Sequence, residues 1–309
     1  MDLAVNMQSA IAQGTLWGIM ALGVYITFRI LDIPDLSCEG TFALGGCISA
    51  VMIVKGVNPF VSLVIALAAG MAAGAVTGFL HTKLKIPAIL AGILTMIALY
   101  SVNIRIMGQP NTSLLGEDTA FTQAIDALKL DQTMATLLVG AVISIFVVLC
   151  IYWFCGTELG CALRATGNNE YMVRALGANT NTSKVIGLVI SNGMISISGA
   201  LVGQSQGYGD IKMGTGAIVI GLASIVIGEV IFGKRFNFMY ILASVVFGSV
   251  IYRMIISLVL YMGLSTDDMK LFTALVVALA LGIPAIKSRY SQKRIPGKGK
   301  TAVRNYYRQ

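Results

Sequence analysis

Four groups of residues in this 309-residue sequence have types and spacings that could do chemistry. The first is Asp32-Ile-Pro-Asp-Leu-Ser-Cys-Glu39, three carboxylates and a proline set between two apolar runs. Pro34 disfavours helix at Ile33, so irregular backbone is expected. It either lines a cavity at membrane depth, the one place such backbone is tolerated there, or forms a solvated loop. The second is the stripe Asn192, Ser196, Gly199 and Gly203, with Ser191, Ser198 and Ser205 beside it. Polar groups inside an apolar helix are costly and mark function by default. This stripe lines an aqueous path or hydrogen-bonds a neighbouring helix.

The third group is a decoy. Gly228-Glu-Val-Ile-Phe-Gly-Lys-Arg235 imitates a phosphate loop, but it lacks the Ser/Thr that holds magnesium and closes an apolar helix instead of joining strand to helix. With no other phosphate loop present, ATP hydrolysis is not expected in this chain. The fourth group is five cysteines with a single histidine, His81. Without a CxxC pair or clustered histidines there is no material for zinc or Cys/His catalysis. Free thiols, no metal and no catalytic residue are expected. Glu229 and Arg253 are not an obvious pair, and no chain of titratable groups suggests a proton relay.

The elements that must hold these residues are membrane helices. The chain is 56% hydrophobic and 12% charged, with a mean hydropathy of +0.82; soluble domains carry roughly 25% charged residues. The net charge of +8 equals the eight basic residues of the tail 287–309, and the rest balances at 14 against 14. One juxtamembrane tail therefore accounts for the basicity, which argues for anionic headgroups and against nucleic acid. The N-terminus, with no basic start or A-x-A site, reads as a first membrane helix.

A bilayer core needs about 20 apolar residues per helix. Runs near 8–28, 60–80, 88–106, 133–154, 184–206, 217–233, 236–256 and 267–286 meet or approach that length. A shorter run at 40–54, rich in small residues, suggests a broken helix extended by the preceding acidic segment. The expected architecture is all-α, a polytopic bundle of about nine membrane segments. The positive-inside rule places 16 of the 22 basic residues on one side, including Arg29, Lys83, Lys85, Arg164, Arg174, Lys184, Lys234, Arg235 and the tail. That puts the C-terminus in the cytoplasm and the N-terminus outside. Gly70, Gly74 and Gly78, and Gly14 with Gly18, form small-xxx-small ridges for close helix packing, within one subunit or across a dimer. Ala88–Ile97 weakly echoes Ala217–Val226, aligning Gly92 with Gly221 and Thr95 with Ser224, as an inverted repeat would.

One polar stretch breaks the apolar pattern, Gly160–Lys184. It reads as a short helix with Asn168 or Asn169 as cap and Glu170 in the first turn. Met172, Val173 and Leu176 form an apolar patch, Arg174 lies near the far end, and Gly177 is the stop. So short a helix is marginal alone and needs docking, on its own subunit or on a soluble partner.

At these residues the sequence resembles the permeases of the branched-chain amino acid/ribose class of ABC importers. Arg164-Ala-Thr-Gly-Asn-Asn-Glu-Tyr-Met-Val-Arg-Ala-Leu-Gly-Ala-Asn-Thr-Asn-Thr-Ser-Lys184 looks like their cytoplasmic loop. Further likeness lies in Asp35–Gly46 and Ser198–Gln204, so the resemblance runs through almost the whole chain. Phe28–Asp35 and Lys83–Thr95 resemble a subgroup linked to tryptophan or tyrosine uptake. The resemblance implies a permease domain over 1–286 with a coupling loop at 156–184 and a cytoplasmic tail at 287–309, in the plasma membrane. It implies a second permease copy, two ATPase subunits that bind ATP and magnesium, and an extracellular binding protein. Glu170, Tyr171, Met172, Arg174, Leu176 and Gly177 would couple to the ATPase. Asp35, Glu39, Thr95, Asn192, Ser196 and Ser224 would line the path, and Tyr208, Asp210 and Lys212 would meet the binding protein. An ion-coupled secondary transporter is the competing reading, weakened by the missing relay and by a helical loop with no internal task.

Overall fold

A computed structural model describes residues 3–129, 131–233 and 237–262, with 271–275, 278 and 282 beyond them. The long helices are α1 (Leu3–Tyr25, carried on by a π-helical turn, Ile26–Ile30), α3 (Pro59–Thr82), α4 (Ala88–Met107), α6 (Gln132–Gly156), α9 (Thr180–Gln206) and α11 (Phe238–Tyr261). These six are long and apolar enough to cross a membrane. Two shorter apolar helices, α2 (Cys38–Val54) and α10 (Ala217–Phe232), match the runs expected at 40–54 and 217–233. At 1.5 Å per residue each spans only about 25 Å, so each starts or ends within the bundle. The run at 267–286 lies largely outside the described residues, and the tail 287–309 and Lys234–Arg235 wholly so.

α9 is the centre of the bundle. It packs against α1, α2 and α3, and 16 of its residues from Thr180 to Gln204 are buried. Its neighbours come close because glycines face it. A Cβ on Gly45 of α2 would lie 1.9 Å from the Ser196 carbonyl oxygen, and one on Gly199 of α9 would lie 1.9 Å from that of Phe42. The Gly70/Gly74/Gly78 ridge of α3 also faces α9, and Gly14 and Gly18 of α1 face Val250 and Val246 of α11. Both ridges therefore pack inside one subunit.

The approach is locked by hydroxyl groups bonding to backbone carbonyls. Ser191 and Ser198 of α9 donate to Gly23 and Leu16 of α1, and Ser196 donates to Ala66 of α3, at 2.6–2.7 Å. Ser144 of α6 and Ser249 of α11 donate in the same manner to Thr15 and Gly14 of α1.

The connections hold four elements the hydropathy pattern did not separate. β1 (Asn111–Ser113) and β2 (Tyr208–Asp210) pair antiparallel at the end of the bundle where α9 finishes. α5 (Ala120–Leu128), started by a Thr119/Thr122 capping box, packs against α6 and the end of α9. At the opposite end, α7 (Glu158–Asn168) precedes α8 (Glu170–Ala175) in the polar stretch. Glycine content hides α7 in the sequence. Its Gly167 is there because a Cβ would lie 1.8 Å from the Ile30 carbonyl oxygen.

Gly199→Val should destabilise the fold by at least about 2 kcal/mol, since the obstacle is backbone. Gly156→Ala, where a Cβ meets nothing within 4 Å, should leave it nearly unchanged. Thermal unfolding in detergent reads both.

Candidate functional site

The segment after α1 leaves solvent beyond Asp32, which is exposed. Asp35 is 2% exposed and Ser37 is fully buried, so this stretch is irregular backbone inside the bundle. Asp35 closes a tight turn at the start of α2: Oδ1 accepts the Ser37 backbone N–H at 2.9 Å and the Ser37 hydroxyl at 2.6 Å. Its Oδ2 accepts Asn192 Nδ2 at 2.8 Å, and Asn192 Oδ1 accepts Thr41 Oγ1 at 2.7 Å and Ser37 Oγ at 3.2 Å. Every polar atom of the Asp35 and Asn192 side chains thus has a partner, as burial requires. Asn192 lies near the midpoint of α9, so α2 begins about halfway through the bundle. Gly92 of α4 packs over this turn, where a Cβ would lie 2.7 Å from the Leu36 nitrogen.

The other residues assigned to a path are placed apart from this cluster. Thr95 is buried and accepts from Thr77 at 3.0 Å. Ser196 and Ser224 are fully buried and donate to backbone carbonyls. Glu39 alone borders open space, a cavity of about 450 Å³ between α2, α4 and the turn before α10. A second polar knot, missed by sequence reasoning, joins Ser49 of α2, Ser62 of α3 and Gln204 of α9. Gln204 Nε2 donates to Ser49 at 2.9 Å and to Ser62 at 3.2 Å, while its Oε1 accepts the Ala120 N–H that opens α5. The signal was legible as Gln204 near the end of a polar stripe; its partners were not.

At the α8 end, Asn169 is the cap, with Oδ1 accepting Met172 N–H at 3.0 Å. Gly177 supplies the left-handed stop at φ 85°. Glu170 is the anchor. It accepts Arg174 and Lys184 at 2.7 Å each and Thr180 at 3.3 Å, tying α8 to the first turns of α9. The Lys184 hydrogen bond, with the Lys184 and Arg174 charges, holds the Glu170 carboxyl below the usual carboxylate range despite its partial burial. Val173 faces inward at 4% exposure, whereas Tyr171, Met172 and Leu176 are 85%, 52% and 77% exposed. The outward apolar patch is therefore Tyr171–Met172–Leu176, with Val173 as the residue that seats it. Glu229 pairs with Arg29 nearby, a partner the sequence did not suggest, while Arg253 stacks over Trp17 with 4.1 Å to the ring centre.

At the other end, Asp210 pairs in register with Asn111 and Tyr208 with Ser113. The Asp210 carboxylate accepts the Lys212 N–H at 2.6 Å. Tyr208 and Lys212 are exposed, so the three residues lie together in and just after β2 of the two-stranded sheet.

Residues 6–283 match the family described as branched-chain amino acid transport system, permease component. The chain belongs to this family. It is 40% identical over 272 residues to a tyrosine transport system permease protein of Clostridioides difficile, covering 87% of this chain and 88% of that one. It is 29% identical over 199 residues to the ribose import permease protein RbsC of Escherichia coli, covering 63% and 60%. Among solved structures it resembles PsaBC from Streptococcus pneumoniae in complex with Fab, with a TM-score of 0.50 at 15% identity over 89% of each chain. A metal-chelate-type ABC transporter in an inward-facing conformation gives 0.51 at 13%, over 91% of this chain and 85% of that one. At those identities the likeness is of fold alone. The protein is a multi-pass membrane permease of ABC importer type, with permease relatives and not enzymes around it.

Two predictions follow from the buried carboxylate and the α8 anchor. Asn192→Leu strands Oδ2 of the buried Asp35 carboxylate, and should cost about 3 kcal/mol of stability, read as detergent thermal unfolding. Because the folded Glu170 carboxyl is depressed, its stabilisation of α8 is complete above the unfolded value of about 4.3 and is lost as pH falls through the folded one. Protection factors of the α8 amides, measured against the intrinsic exchange rate at each pH, should fall at acid pH in the natural chain and show no such acid step in Glu170→Gln.

Proposed function

We propose that this permease is the membrane half of an ATP-driven amino-acid importer, two copies of it enclosing one path. The observation that carries the reading is α8. It is too short to be stable by itself, is held rigidly by Glu170, and turns three large apolar side chains away from its own subunit. A fixed helix with an uncovered apolar face suits a cleft on a soluble partner, here one ATPase subunit per permease copy. ATP and magnesium would be bound by those subunits.

The orientation that fits has α8 in the cytoplasm with the tail 287–309, and the N-terminus and the β1–β2 pair outside. Nine segments across 1–286, with the run at 267–286 as the last, match that arrangement, and 156–184 is then the coupling loop. Tyr208, Asp210 and Lys212 would receive the external binding protein. ATP binding would bring the two α8 helices together and rock the helices that carry the path. Of the path candidates, Glu39 is the one we place on the wall. Asp35, Thr95, Asn192, Ser196 and Ser224 would act behind it, in keeping the wall in register. An amino acid is the substrate class, from the likeness to the tyrosine and branched-chain permeases; the family membership gives an ion-coupled mechanism no support.

The test is ATP-driven uptake in proteoliposomes containing the permease, its ATPase and its binding protein. Replacing Tyr171, Met172 and Leu176 together with alanine removes anchors of the kind worth about 2 kcal/mol each. Uptake and ATPase co-purification should fall more than about tenfold, with thermal unfolding nearly unchanged because all three are exposed. Normal uptake by this variant contradicts the assignment.

A further inference from the structure

The cavity beside Glu39 has a composition that selects a class of solute. Its volume of about 450 Å³ lies within the range of small-molecule pockets, about 300–1,000 Å³. Met96, Ile97 and Tyr100 of α4 give an apolar and aromatic wall, and Ser101 and Thr215 add hydroxyls. Among the described residues no lysine or arginine lines it. The cavity opens on the face of α4 where Ile97 and Tyr100 are 61% and 45% exposed.

Two acceptors in this cavity are left with unused capacity. Glu39 stands in the first turn of α2 and reaches the start of α10, where Oε1 accepts the Gly216 N–H at 3.0 Å. That one bond fixes the carboxyl and leaves Oε2 without a donor among the described residues. Asn103, 1% exposed, donates from Nδ2 to the Gly40 carbonyl at 3.3 Å, which sets the amide's orientation. Its Oδ1 then has no partner, an expensive condition for a buried acceptor. Oδ1 is closed to solvent in this conformation, so a ligand reaches it as the wall gives, which a rocking helix such as α4 would allow.

A carboxylate oxygen and an amide oxygen, both lacking donors among the described residues and with no lysine or arginine among the described lining residues, ask for a ligand that is all donor and positively charged. We propose that this cavity binds the ammonium group of an amine-bearing solute. Glu39 Oε2 and Asn103 Oδ1 receive its N–H groups, and the Met96/Ile97/Tyr100 wall receives an apolar or aromatic body. This deepens the amino-acid importer reading and rests on it, because it supplies a reason in this chain for passing amino acids in preference to sugars. A sugar offers hydroxyl donors but leaves the Glu39 charge uncompensated.

The test uses the permease–ATPase complex in proteoliposomes. A Cys150→Ser/Cys161→Ser background removes the exposed thiols, and Ser101→Cys or Thr215→Cys places one reporter on either wall. The rate of thiol modification is measured with L-tyrosine, tyramine, 3-(4-hydroxyphenyl)propionate or ribose added. Tyramine and L-tyrosine should slow modification of both reporters, and the deaminated acid and ribose should not. Glu39→Gln should raise the half-protecting concentration of tyramine about tenfold, the loss of one charge-assisted hydrogen bond. Equal protection by ribose or by the deaminated acid, no protection by either amine, or protection unchanged in Glu39→Gln overturns the proposal. ATP-driven uptake by the chain with all natural residues, run in parallel, separates a misassigned cavity from a failed importer reading.

Discussion

The hydrogen bond from Asn192 to Asp35 is the interaction on which the remaining architecture turns. A carboxylate inside a bilayer-spanning bundle is tolerated only when every lone pair that needs a donor has one. Asn192 supplies that donor from the midpoint of α9 and uses its own carbonyl oxygen to hold Thr41 and Ser37. The chain can therefore stop being helical after Leu31, turn, and begin α2 in the middle of the bundle. Because α2 starts there, Glu39 is delivered to the start of α10, and the cavity between α2, α4 and the turn before α10 exists. The glycines serve the same end. Gly92 lets α4 lie on the turn, and Gly45 and Gly199 bring α2 and α9 to backbone contact.

The same turn links the interior to the α8 end. α7 rests on the carbonyl of Ile30 through Gly167, and Ile30 is the residue from which the chain enters the buried turn. Glu170 then ties α8 to α9, the helix that carries Asn192. α7, α8, α9 and the start of α2 form one connected set of contacts. In the proposed cycle, a push on α8 reaches the residues around Glu39 through these contacts.

Much of this was legible in the sequence because membrane burial writes itself plainly. Run length gave seven of the helices to within a few residues, and Pro34 with its flanking acids marked the break before α2. The Asn169 cap and Gly177 stop were readable because capping is local chemistry. What the sequence could not give was long-range pairing. Asp35 with Asn192, Arg29 with Glu229 and Gln204 with Ser49 are joined across more than 150 residues, and nothing in spacing announces them. The stripe on α9 was ambiguous for the same reason: Ser191, Ser196 and Ser198 look alike whether they face water or a carbonyl. Val173 was misjudged because a patch at helical spacing does not say which member points inward. Asn103 went unnoticed among apolar neighbours, since its significance lies in an acceptor left over after its donor is used.

The central claim is that α8 is the surface through which a separate ATPase drives this permease. A cryo-EM structure of the permease purified with its ATPase tests it most directly. The account predicts Tyr171, Met172 and Leu176 buried in a cleft of the ATPase, with Glu170 still bonded to Arg174 and Lys184. An ATPase seated elsewhere, with those three side chains still exposed, would contradict it.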